Sequence, residues 1–236
     1  TPTAKYFIPQ TQWDKGYEAF RDFSWTHNGK TFATEEIHKG LTVDSALLPA
    51  GFAEFLAQLT ITRSNGQKIT ENVNIRSYNG FYSGMYITSA FNTALPNDDN
   101  KDPFHAYMQP TTQLPTAGKA TYTGRAFNDS AANDTNFRYS IDFGTQRGSG
   151  EIAASKGAGK ITLGEGKITR ETDDGFTFYA IDGAADTGNA ASSMNTYTIG
   201  LAGPNVEEII GSAEYTGKDG ARGFLGLQGS RGKIAR

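Results

Sequence analysis

Three histidines, His27, His38 and His105, are the side chains of this chain best suited to holding a metal. No two of them stand in the His-x-His or His-x3-His spacing that lets one segment offer zinc two ligands. His105 lies in Asp102-Pro103-Phe104-His105-Ala106-Tyr107-Met108, where aromatic and apolar neighbours interrupt a polar, proline-broken stretch. A loop histidine flanked in this way can reach an apolar pocket and present a neutral imidazole nitrogen to iron. Equally, Phe104, Tyr107 and Met108 can pin a loop to the core and leave His105 in water. His38 follows Glu35-Glu36-Ile37, where a histidine at a helix end is a favourable terminal charge. His27 precedes an Asn28-Gly29 turn. Either reads as a surface residue or as a second ligand.

Other chemistries find little support. There is no Gly-x-Ser-x-Gly elbow, and Gly148-Ser149-Gly150 reads as a hairpin turn. Gly157-Ala158-Gly159-Lys160 lacks phosphate-loop spacing and runs into a β-like Ile-Thr-Leu segment where such a loop needs a helix. The acid pairs Glu35-Glu36, Asp98-Asp99 and Asp173-Asp174 read as solvated loop or turn residues. Cysteine is absent, which excludes disulfides, thiolate metal sites and cysteine nucleophiles. A net charge of -3 argues against a generic nucleic-acid binder. No apolar run approaches the roughly 18–20 residues that cross a bilayer as a helix, so the chain is expected to be soluble. An enzyme is not expected.

The elements that must carry the histidines differ from those that follow. Only 7 of the 28 glycines lie in residues 1–115, which also hold all 3 histidines and both tryptophans, Trp13 and Trp25. Pro96, Pro103, Pro110 and Pro115 break the connection Leu95–Gly118, and a domain boundary is placed at its end. Before it, Asn28-Gly29 predicts a turn between Phe23–His27 and Lys30–Ala33, and Asn65-Gly66 a hairpin between Leu59–Arg63 and Lys68–Val73. Gly80–Ile87 reads as another strand. Two helices are predicted: Thr34–Lys39, capped by Thr34 and stopped at Gly40, and Gly51–Leu59, with Phe52, Phe55, Leu56 and Leu59 on one face. The aromatics Tyr78, Phe81, Tyr82, Tyr86 and Phe91 read as core residues first and pocket walls second.

After the boundary come eight strand candidates: Lys119–Phe127, Phe137–Phe143, Gly150–Ala154, Lys160–Thr169, Gly175–Ile181, Asn195–Leu201, Glu207–Tyr215 and Arg222–Gln228. Their spacing, and glycines inside strands such as Gly164, Gly166, Gly211 and Gly226, favour a small antiparallel barrel or sandwich. The expected class is mainly β: a mixed N-terminal ligand-binding domain with short helices (1–115) and an eight-stranded antiparallel barrel (116–236).

The stretch Thr198-Ile199-Gly200-Leu201-Ala202-Gly203-Pro204-Asn205-Val206-Glu207-Glu208-Ile209-Ile210-Gly211-Ser212 resembles the "FGPxAxEixG" signature of C-terminal barrels in transferrin-binding protein B and related surface lipoproteins. It departs at Leu201-Ala202, where an aromatic usually precedes Gly-Pro. Ala120–Ala126, Tyr139–Phe143 and Gly223–Gly229 match as well. Tethered relatives need a lipidated cysteine, which this chain lacks, so the resemblance is narrowed to the hemophilins, secreted haem-binding proteins. The chain begins at Thr1, and a removed secretory segment is expected.

That resemblance implies haem b in the N-terminal domain with histidine axial ligation: His105 first, His38 second, His27 in reserve. It also implies Phe104, Tyr107, Met108, Tyr78 and Tyr86 around the ring, with Arg76 or Lys39 meeting the propionates. The barrel would serve export through an outer-membrane translocator, or delivery to a TonB-dependent receptor, in bacterial iron acquisition. The alternative is a module that captures a host protein, as the tethered relatives do.

Overall fold

The computed structural model describes residues 5–8 (backbone only), 20–36, 39–88, 104–173, 175–189 and 195–235. Of the earlier expectations, His38, Trp13, Phe91 and residues 95–103 of the proline-broken connection lie outside that set.

The first half is one eight-stranded sheet. Its strands are β1 (Lys5–Ile8), β2 (Phe20–His27), β3 (Lys30–Glu36), β4 (Gly40–Asp44), β5 (Gly51–Arg63), β6 (Lys68–Asn79), β7 (Ser83–Thr88) and β8 (Phe104–Met108), in the order β1-β4-β3-β2-β5-β6-β7-β8. Asn28 and Gly29, with φ 51 and 75, both take the left-handed region that a two-residue hairpin turn requires. Alternation then sets the inward face: Phe23 and Trp25 on β2, Leu59 and Ile61 on β5, Val73 and Ile75 on β6 are all buried. Each such side chain removed from water contributes about 1.5–3 kcal/mol. The sheet curls until it is nearly closed, bringing β8 to within contact of β3.

Neither predicted helix forms. Gly51–Leu59 belongs to β5, in which Phe55, Ala57, Leu59 and Ile61 turn inward while Glu54, Leu56 and Gln58 face out. The spacing of Phe52, Phe55, Leu56 and Leu59 satisfies both periods. The Asn65-Gly66 turn decides the outcome by supplying β6 as an antiparallel partner from Gly51↔Asn79 to Thr62↔Lys68. An isolated short helix has no such cooperative gain. Thr34–Glu36 likewise continues β3, with Ala33 and Glu35 inward. Among the described residues the only helical segments are the 3-10 turns Ser45–Leu47 and Ala131–Asn133.

The second half closes into a barrel of β9 (Lys119–Phe127), β10 (Thr135–Asp142), β11 (Arg147–Ser155), β12 (Gly159–Asp173), β13 (Phe176–Asp186), β14 (Thr196–Ala202), β15 (Glu208–Thr216) and β16 (Arg222–Arg231), with β16 pairing back onto β9. All eight expected strands are present. Closure leaves no free edge. Glycine makes it possible where backbones cross closely: a Cβ at Gly211 would strike the Thr198 carbonyl and Ile199 Cα of β14. The Gly203-Pro204 segment turns with Gly203 at φ 91 and Val206 at φ 55. Ile209 and Ile210, on successive positions of β15, are both buried.

The main division between the two compact units falls between Tyr107 and Met108. Residues 108–115 count with the barrel because their backbone is tied to it. The Gly203 N–H donates to the Gln109 carbonyl at 2.9 Å and the Thr111 N–H to that of Leu201 at 3.0 Å. The Thr111 hydroxyl donates to the Gly203 carbonyl at 2.6 Å.

Candidate functional site

Four strands of the first unit aim side chains at one interior point. On β3, Glu35 shares the inward face with Ala33 and pairs with Phe23 on one side and Leu41 on the other. All three neighbours are buried and apolar, and Glu35 itself is 4% exposed. A carboxylate in such surroundings costs several kcal/mol unless an opposite charge or a donor compensates it.

His105 on β8 is that partner. Its Nδ1 lies 2.6 Å from Glu35 Oε1, with only about a tenth of either side chain or less in water (10% and 6%). The two atoms are in close contact without meeting hydrogen-bond geometry. Tyr86 of β7 stacks on the imidazole, with ring centres 4.9 Å apart and planes 29° apart. Trp25 of β2 tilts against it at 5.4 Å and against Tyr86 at 5.7 Å. Contact with Glu35 at Nδ1 leaves Nε2 as the imidazole atom directed away from the carboxylate, and a metal-binding histidine commonly uses its second nitrogen on such an acceptor.

Around this pair the interior holds polar atoms with no hydrogen-bond partner among the described residues: Trp25 Nε1, Ser77 Oγ and Thr88 Oγ1. Ser77 stands opposite Tyr86 in the β6–β7 ladder, and Thr88 follows Tyr86 by two residues, so all three share one face. Each unpartnered buried group costs about 1–3 kcal/mol. Among the described residues no three His, Cys, Asp or Glu side chains gather into a cage for a bare metal ion.

The other candidate residues are dispersed. Tyr107, fully buried, donates its hydroxyl to Asn79 Oδ1 at 2.8 Å, and Asn79 Nδ2 donates to the Ser45 carbonyl at 2.9 Å; this residue anchors β8. Phe104 is half-buried on β8, one position before His105 and so on the opposite face. Met108 counts with the barrel unit, its sulfur over Gly200. Arg76 and Tyr78 alternate with Ser77 and therefore face away from Tyr86 and His105. Arg76 Nε lies 3.6 Å from Glu54 Oε2, and Tyr78 lies 4.9 Å from the Phe52 ring. Lys39 is exposed, 4.0 Å from Glu36. His27 has both ring nitrogens engaged: with the proton on Nδ1 it donates to the Leu56 carbonyl at 3.1 Å, and Nε2 accepts from Asn28 Nδ2 at 3.3 Å. Of the expected set, then, His105 and Tyr86 come together, while Arg76, Tyr78 and Met108 do not join them.

Glu35 and Trp25 complete the cluster and were not singled out. Reading Glu35-Glu36 as solvated loop or turn residues treats the two alike. Extending the Lys30–Ala33 strand by two residues instead puts Glu35 on the side of Ala33.

The family comparison concerns mainly the barrel, whereas the solved structures cover most of the chain. Residues 112–213 match the family model described as Factor H binding protein, C-terminal. Among solved structures, the chain is similar to transferrin-binding protein B from Haemophilus parasuis, with 15% identity over 89% of this chain and 44% of that one, at a TM-score of 0.48. It is similar to isotype 1 transferrin-binding protein B from Neisseria meningitidis, with 18% identity over 91% of this chain and 44% of that one, at 0.42. Against the haemoglobin receptor HpuA from Kingella denitrificans the identity is 11%, over 97% of this chain and 90% of that one, at 0.34. The chain spans less than half the length of these two transferrin-binding protein B chains.

Proposed function

We propose that this chain is a secreted haem-binding protein that captures haem b in its N-terminal unit for bacterial iron acquisition, with His105 Nε2 as the axial ligand. The observation that supports it most is the His105–Glu35 pair, enclosed by Tyr86 and Trp25. The donor set suits haem iron: one imidazole with a carboxylate behind it, aromatic neighbours for a porphyrin, and unpartnered indole and hydroxyl groups. Bound there, haem supplies an iron centre whose spin state and potential its axial ligands set. Trp25 and Tyr86 would contact the macrocycle. Neither Arg76 nor Tyr78 belongs to this site, since both lie on the other face of the sheet. His38 is retained as the second ligand; His27, its nitrogens already engaged, is not. The barrel would carry the recognition by an export translocator or a receptor.

Titration of the apo-protein with haemin tests this by absorption. A Soret shift is expected in the wild type and is lost in His105→Ala. Because that change strands the Glu35 carboxylate in the interior, the double variant His105→Phe with Glu35→Leu, which removes both polar groups, is the second arm. It is expected to fold and not to bind. A shift unchanged in His105→Ala and in the double variant refutes the assignment.

A second reading has its own observation. Among the described residues, Phe52, Leu56 and Phe81 are the exposed large apolar side chains, at 41%, 65% and 56%. Phe52 and Leu56 share the outer face of β5, beside Tyr78 and the Arg76–Glu54 pair. Apolar surface of this kind suits a protein partner. Retention of a serum protein by the haem-indifferent chain, lost in Leu56→Asp, would support a host-protein binder instead.

A further inference from the structure

We infer that Asn28, in the β2–β3 turn, is the chain's site of deamidation. Its side-chain amide is lost through a five-membered imide closed by the Gly29 nitrogen, and the neighbouring His27 relays the proton on which ammonia leaves. This is independent of the haem reading and concerns a modification of the chain itself.

Imide closure is easiest where the residue after asparagine has no side chain in the way of the attacking nitrogen. Asn-Gly occurs three times, at Asn28-Gly29, Asn65-Gly66 and Asn79-Gly80, and every other asparagine is followed by a residue with a Cβ. At two of the three the fold ties up the reacting groups. The Gly80 N–H donates to the Ser83 carbonyl at 2.8 Å. Asn79 is buried, donates its Nδ2 to the Ser45 carbonyl at 2.9 Å and accepts from the Tyr107 hydroxyl at 2.8 Å. The Gly66 N–H donates to the Arg63 carbonyl at 2.9 Å, and Asn65 Oδ1 accepts from the Gln67 N–H at 2.9 Å. Asn28-Gly29 differs. Both residues are exposed, and the strand pairing ends at His27↔Lys30. Among the described residues the Gly29 N–H donates to no acceptor.

His27 stands beside the group that must leave. With its proton on Nδ1 the ring donates to the Leu56 carbonyl at 3.1 Å, and Nε2 accepts from Asn28 Nδ2 at 3.3 Å. Phe55 packs on the imidazole with ring centres 4.3 Å apart and helps to hold it there. In the reaction the Gly29 nitrogen attacks Asn28 Cγ. The N–Cγ bond forms, the Cγ–Nδ2 bond breaks, and the proton lost from the Gly29 nitrogen is matched by the one Nδ2 takes up to depart as ammonia. An imidazole nitrogen at Nδ2 takes up the first proton and delivers the second, as general acid–base catalysis does. Water then opens the imide. Cleavage of the N–Cγ bond gives aspartate, and cleavage between the nitrogen and the main-chain carbonyl carbon gives isoaspartate. Isoaspartate puts an extra carbon into the main chain of a turn of just two residues in the left-handed region, at φ 51 and 75. Either product adds one negative charge and removes the donor to His27.

The test is peptide mapping by mass spectrometry of the full chain incubated at neutral pH, reading the mass gained when an amide becomes a carboxyl. In the folded protein Asn28 should convert first. Asn65 should lag by about two- to tenfold, the factor for one backbone hydrogen bond that must open before attack, and Asn79 should lag further. In denaturant both lags should shrink, because the Asn-Gly sequence is common to all three. If Asn65 or Asn79 converts as fast as Asn28 in the folded protein, or Asn28 stays intact, the assignment is overturned. Lags that persist in denaturant overturn its structural basis. The relay is tested in His27→Gln, which keeps a hydrogen-bonding side chain but cannot shuttle a proton. Severalfold slower conversion at Asn28, with Asn65 unchanged as the internal reference, supports it. An unchanged rate at Asn28 overturns the part given to His27. A variant loosened by the change would convert faster at Asn65, the opposite of the expected result.

Discussion

The two units treat buried polar groups in opposite ways. In the barrel, Tyr122 donates to the Val206 carbonyl at 2.6 Å, Tyr139 and Tyr197 pair their hydroxyls at 2.8 Å, and Tyr197 also reaches the Gly164 carbonyl. Asn195 donates to the Thr216 hydroxyl at 2.9 Å. Among the described residues, the barrel atoms without a hydrogen-bond partner, Ser155 Oγ and Glu207 Oε2, belong to partly exposed residues. Among the described residues of the first unit, the atoms without a hydrogen-bond partner include those of the fully buried Trp25, Ser77 and Thr88. A fold that tolerates such costs in one half and avoids them in the other is separating scaffold from site.

The largest expected effect tests whether the Glu35–His105 pair is the centre of that difference. Removing either partner alone strands the other, and a loss of about 3–5 kcal/mol is expected for His105→Ala or Glu35→Leu in chemical denaturation. The double variant His105→Phe with Glu35→Leu should recover most of it, since an apolar replacement of a buried pair is often neutral. Additive losses would mean the two groups do not interact.

Alkaline pH should single out the other unit. Burial pushes the phenols of Tyr122, Tyr139, Tyr197 and Tyr215 up from their usual range, all of them on barrel strands. A folded state that keeps a proton the unfolded chain gives up is fully stabilised below the unfolded value, near 10, and loses that stability as pH rises above it. For the fully buried Tyr122 and Tyr139 the loss is about 1 kcal/mol each per pH unit above 10. Barrel melting followed from pH 8 to 11 should show a falling midpoint, with phenolate absorbance appearing only as the barrel unfolds. Phenolate growth in the folded protein, without loss of midpoint, contradicts this.

The same asymmetry explains what the sequence disclosed. Barrel strands were legible because each is short, alternating and ended by glycine or a turn residue, and closure asks nothing more of them. Lys119–Phe127 even has the same bounds as observed. The candidate site was legible only at His105 and Tyr86, which stand out by type. Glu35 was hidden because its neighbour Glu36 faces water, and a charged pair says nothing about which member turns inward until the strand is known. Arg76 and Tyr78 were misplaced for the converse reason: near Tyr86 along the chain and in the ladder, they point the other way.

A smaller change should separate close backbone approach from mere glycine content. Gly211→Ala sets a Cβ against the Thr198 carbonyl and Ile199 Cα, atoms of β14 that cannot rotate away. A loss of about 1–3 kcal/mol is expected, with the haemin titration of the first unit unchanged. At Gly164 the nearest atom to an added Cβ is the Ala184 carbonyl oxygen at 3.5 Å, an ordinary contact. Gly164→Ala should therefore stay within about 0.5 kcal/mol of wild type. Equal costs at the two positions would remove backbone approach as the reason for the barrel's glycines.

The smallest effects should differ in sign, which makes them the sharpest comparison of the two units. Tyr139→Phe deletes a hydroxyl that has a partner; Tyr197 keeps its bond to Gly164, so the cost should be about 1 kcal/mol. Thr88→Val deletes a hydroxyl that is buried and without a hydrogen-bond partner among the described residues. It replaces that group by a methyl of similar size on a β-branched residue suited to a strand. Removing an unpartnered polar atom relieves its desolvation, so the apo-protein should gain about 1 kcal/mol in denaturant titration. If Thr88 lies against a bound haem, the same variant should also change the position of the Soret band. A destabilised Thr88→Val would show that its hydroxyl is satisfied after all, and with it would go the distinction between a scaffold whose polar groups are closed and a site whose groups are held open.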